Sequence, residues 1–115
     1  MDDKPKNIDE CLDALIRDTP KEDLDKFKEM EEQKAGASVH FAGGNWGLWD
    51  EKSSLAKWFH SIGIWHADDM SGIIFDSLHR ELNGKPIDLV GQVQQYHNYW
   101  KKIGINPEEE LNKVR

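Results

Sequence analysis

An all-α fold is predicted for this chain: a compact orthogonal bundle of about five helices with one irregular, aromatic-rich loop. Three observations predict it. Apolar residues recur at three- and four-residue spacing through most of the sequence. The periodic segments open on cap-forming residues or proline, and most close on glycine. Strand signals are nearly absent: only Val39-His40-Phe41 alternates, and a lone strand has nothing to pair with.

The first helix starts at Asn7, which forms a capping box with Glu10. Ile8, Cys11, Leu12, Leu15 and Ile16 make its inner stripe, with Asp9, Asp13 and Arg17 outside. Thr19-Pro20-Lys21-Glu22 signals a second start, with proline in the first helical position. Leu24, Phe27 and Met30 give this helix a narrower, more exposed stripe. Residues 34–50 hold four glycines and no sustained period, so they read as an irregular loop pinned to the core by Val39, Phe41, Trp46, Leu48 and Trp49.

Asp50 or Ser53 caps a third helix with Leu55, Trp58, Phe59 and Ile62 inward, ended by a left-handed Gly63. His66 is placed to cap the next helix, whose first-turn Asp68 and Asp69 complement its dipole. Met70, Ile73, Ile74, Ser77, Leu78, Glu81 and Leu82 form its stripe, and Asn83-Gly84 closes it. Gly72 within a helix costs about 1 kcal/mol against alanine, which implies something packed closely over it. Asp88 caps a helix carrying Leu89, Val93, Tyr96, Trp100 and Ile103, the best amphipathic stripe in the chain. Asn106-Pro107-Glu108 begins a frayed acidic tail helix. One domain over 1–115 is expected, frayed at 1–6 and 107–115.

The totals exclude several classes. A chain of 115 residues suits one domain with one core, and five tryptophans must mostly be buried in it. A single cysteine, Cys11, forbids an internal disulfide and a four-cysteine zinc site. The charged opening residues are not a secretory signal, and no apolar run nears the roughly 18 residues of a membrane helix. A cytoplasmic, soluble protein is therefore expected, without membrane contact. Net charge is −7, with 12 acidic and 7 basic side chains in residues 1–34. Such acidity disfavours nucleic acid and suits a protein partner, one of basic charge fitting best. A DNA-reading helix–turn–helix over 66–103 is disfavoured because residues 88–100 contain no Lys or Arg.

Chemistry-bearing residues have plain structural readings beside the sharper ones. His60, His66, Asp68 and Asp69 surround one helix junction and form the only candidate metal set, without any known zinc spacing. Ser54-Leu-Ala-Lys57 matches a serine–lysine motif but lacks its companions, and Gly43-Gly-Asn-Trp-Gly47 lacks the Lys and Ser/Thr of a phosphate loop. Asp76, His79 and Arg80 read first as a helix-face ion pair with a neighbouring histidine. No catalytic residue and no cofactor is expected. Arg80, Asn83 and Lys85 are a candidate polar contact patch. His97, Tyr99, Trp46 and Trp49 are candidate aromatic contacts for a partner, since such residues favour interface hot spots.

The strings Trp46-Gly-Leu-Trp49, Leu55-Ala-Lys57, Asp68-Asp-Met-Ser-Gly-Ile-Ile74, Arg80-Glu-Leu-Asn-Gly-Lys-Pro-Ile87 and Tyr99-Trp100 span about half the chain. On these residues the sequence resembles an uncharacterised family of small bacterial domains, a domain-of-unknown-function family. The family pattern has a longer insertion, with a tryptophan and an arginine, before Asn45-Trp46. Here Phe41-Ala-Gly-Gly-Asn45 is shorter, which leaves a site in that loop unsupported. The resemblance implies no activity. The expected function is a non-catalytic protein-binding domain of bacterial or phage type, immunity-like or inhibitory. The alternative is a metal-dependent enzyme or regulator using His60, His66, Asp68 and Asp69.

Overall fold

Each described segment becomes helical where its caps and apolar spacing require it. The computed structural model describes residues 5–29, 50 and 52–114. Among these there are six helices and no strand: α1 (Ile8–Asp18), α2 (Lys21–Glu29), α3 (Ser54–Ile62), α4 (Ala67–Leu82), α5 (Leu89–Lys102) and α6 (Pro107–Val114). The fold is all-α, with six described helices against the about five expected, the last of them the tail helix. The tail helix expected from 107 is seated against α5, with Leu111 and Pro107 buried. The aromatic loop, with Trp46 and Trp49, lies outside the described residues.

The caps work as their residue types dictate. Asn7 Oδ1 accepts the Glu10 amide at 2.9 Å, while Glu10 reaches back to the Lys6 amide at 3.3 Å. Ser53 Oγ accepts the Ala56 amide at 3.1 Å, and Asp88 Oδ1 accepts the Gly91 amide at 3.1 Å. At the end of α3, Gly63 takes φ +103°, and the Ile64 amide closes back onto the Phe59 carbonyl at 2.9 Å. This places Ile64 fully inside, the apolar contact that accompanies such an ending. The same closure recurs from Lys85 to Arg80 and from Ile105 to Trp100.

Helix α4 runs through the middle and touches α1, α2, α3 and α5. Ala67, Met70, Ile73, Ile74, Phe75 and Leu78 are buried around much of its circumference, so it is apolar on more than one face. Cys11 and Leu12 from α1, Phe27 from α2, Leu55 and Phe59 from α3, and Val93 from α5 pack onto it. Helix α2 is the exposed one, with Phe27 alone buried, edge-on to Phe75 at 5.9 Å. Buried Gln92 donates to Ser77 Oγ at 3.1 Å and accepts the Asp88 amide at 3.1 Å, pinning the start of α5 to α4.

Several apolar positions are less buried than the expected stripes imply. Ile16 and Ile103 are exposed, at 38% and 52%, and the described tryptophans, Trp58, Trp65 and Trp100, are only partly buried. Among the described residues the core is aliphatic and phenylalanine-rich, and the three indoles sit at its edge. No helix among the described residues is long and apolar enough to cross a membrane.

Candidate functional site

The start of α4 and the second half of α5 come together in an aromatic junction. His66 caps α4 with Nδ1, accepting the Asp68 amide at 3.1 Å, so this nitrogen carries no proton in the capped state. One turn into α4, Asp69 is 9% exposed, and Trp100 Nε1–H donates to its Oδ2 at 2.8 Å. Burial raises the Asp69 carboxyl above the ordinary carboxylate value, and the Trp100 bond only partly offsets this.

Around that bond the rings collect. Trp65 lies 5.5 Å from Trp100 and 6.2 Å from His97 between centroids; His66 lies 5.8 Å and Tyr99 5.3 Å from Trp100. His97 Nε2–H donates to the Gly63 carbonyl at 2.6 Å, tying α5 to the end of α3. Tyr96 packs inward with its hydroxyl over Gly72, the close neighbour that the glycine implied. Burial, reinforced by the carboxylates of Asp69 and Asp76, pushes the Tyr96 phenol up to about 12. Outermost, Tyr99 is 55% exposed, and Ile103 stands one turn further along the same face. The junction therefore offers solvent an aromatic and apolar face braced from beneath by a buried carboxylate.

The other candidates are placed differently. Arg80 pairs with Asp76 at 3.6 Å, both side chains being 22% exposed, and donates to the Pro86 carbonyl at 3.3 Å. Asn83 Nδ2 donates to the carbonyls of Lys28 and His79 at 3.1 and 2.9 Å, tying the ends of α2 and α4 together. Arg80 and Asn83 thus serve the corner of the fold, beside exposed Lys85.

His60 is buried in α3, while His66 and Asp68 approach only to 4.0 Å. Among the described residues no three His, Cys, Asp or Glu side chains are grouped to hold a metal ion. Cys11 is fully buried, and burial, with Glu10 nearby, pushes its thiol up to about 12, so it packs as a small hydrophobe. Sequence reasoning missed Trp65 as a member of the junction and Asp69 as its base. The i, i+4 pair of Tyr99 and Ile103 was a signal in plain view, because both belong to a surface only if Trp100 turns inward.

No curated protein and no solved structure matches this chain. A family model does match, over residues 4–82, taking in α1 to α4 and ending before α5. By that match, which covers well over half its length, the chain belongs to the family described as Domain of unknown function (DUF6794).

Proposed function

We propose that this chain is a non-catalytic protein-binding domain of bacterial or phage type, inhibitory or immunity-like. The aromatic face at the end of α5 is its contact surface. The exposure of Tyr99 beside Ile103, on rings held by the Asp69–Trp100 bond, carries this reading. Tyrosine and tryptophan bring large contact area with little rotamer freedom to lose, which is why they dominate hot spots. Asp69 and the His97–Gly63 bond hold the rings in place before binding, so little ordering remains to oppose association. The net charge of −7 favours encounter with a basic partner.

The test is affinity capture with the wild-type chain and with Tyr99→Ser/Ile103→Ser, both side chains being exposed enough to replace without opening the core. The same protein should be retained by the wild type and lost by the variant at unchanged melting temperature. With that partner purified, the variant's Kd should rise at least about tenfold, as loss of a hot spot requires. Equal retention by both forms would remove the aromatic face as the contact surface.

A further inference from the structure

At the other end of α5 lies a second, separate feature. The starts of α1 and α5 meet the side of α3 around a groove of about 460 Å³, within the size range of ligand sites. Its apolar walls include Ile8, Trp58, Leu89 and Val90, and among the described residues its charged lining consists of the carboxylates Asp9 and Asp88. Val90 is 84% exposed, an unusual setting for a β-branched residue in the first turn of a helix. Two helix N-termini would ordinarily invite an anion. Here Asn7 and Asp88 already accept amides of those first turns, and the two carboxylates repel negative charge. A wholly apolar occupant would strip water from Asp9 and from the second Asp88 oxygen without replacing it. An occupant that satisfies both walls and rim carries an aliphatic side chain beside a cation. A lysine or arginine stem lies along apolar surface while its head reaches a carboxylate.

We infer that this groove binds a segment of a partner protein in which a leucine-like residue neighbours a lysine or arginine. The site stands apart from the aromatic face, since Val90 and Tyr99 lie nine residues apart on α5, about 14 Å along its axis, and neither test touches the other's residues.

The experiment titrates the ¹⁵N-labelled full chain with the peptide acetyl-Leu-Lys-Leu-Lys-amide. Its controls are the same peptide with glutamate for lysine and with glycine for leucine. The Trp58 indole and Gly91 amide signals should shift saturably with the Leu-Lys peptide and weaken with added salt. Asp9→Asn/Asp88→Asn keeps the α5 cap, because asparagine caps as well as aspartate, and should weaken binding at least about threefold. Val90→Ser should also weaken it, without a change in melting temperature. Equal binding of either control peptide would overturn the assignment. So would shifts that spare Trp58 and Gly91, or the lack of saturable binding. None of these outcomes bears on Tyr99 and Ile103, so the aromatic face stands or falls separately.

Discussion

Gly72 sits where the Tyr96 hydroxyl comes closest to α4, so a β-carbon there would collide with the phenol oxygen. Gly72→Ala is therefore expected to destabilise by about 1–3 kcal/mol, despite alanine's better helix propensity. In a Tyr96→Phe background the oxygen is gone, and at least about half of that cost should vanish, as coupled neighbours require. Urea denaturation of the four proteins of this cycle measures both. Asp69 makes the second residue-scale prediction. Its folded carboxyl is raised by burial, so the folded state holds the proton more tightly than the unfolded chain does. The resulting stabilisation is full below the ordinary carboxylate range and is lost as pH rises through the elevated folded value. Asp69→Asn keeps an acceptor for Trp100 and removes the titration. Urea midpoints from about pH 3 to pH 7 should lose that part of their slope, with the variant at least as stable as wild type at neutral pH. A wild-type slope retained in the variant would assign the titration elsewhere.

Helix starts and ends were legible because capping is local chemistry. Asn7, Ser53, Asp88 and even His66 act within three residues of themselves, so their spacing alone identifies them. His66→Ala should cost about 1 kcal/mol by thermal or urea denaturation, whereas His66→Asn, a better cap, should retain stability. What local pattern cannot show is which helix lies in the middle. Gln92 reads as a solvent residue until α4 supplies Ser77, and Glu81 fits the α4 stripe by spacing yet faces solvent. The acidic look of Pro107–Val114 likewise concealed one buried leucine. Leu111→Ala should destabilise by about 2–5 kcal/mol if α6 is part of the cooperative unit, which a single coincident unfolding transition by fluorescence and circular dichroism would show.

At the scale of the whole molecule, the distribution of aromatics decides the functional reading. A sequence with five tryptophans suggests a core of indoles, yet among the described residues phenylalanines and aliphatics fill it, and Trp58, Trp65 and Trp100 sit at its margin. Periodicity reports which face of a helix is apolar; it cannot report that two partly apolar faces meet at an edge and leave rings open to solvent. The family match ends at residue 82, so the α5 half of the aromatic junction lies beyond the matched span while His66 and Asp69 lie inside it. A face built from both halves exists only if α5 is docked as the Asp69–Trp100 bond requires. Hydrogen exchange of the Trp100 indole proton, assigned by its disappearance in Trp100→Phe, reads that docking directly. The account predicts a protected proton whose protection is lost in Asp69→Ala. An indole proton exchanging as fast as that of a free tryptophan in the wild-type chain would contradict it.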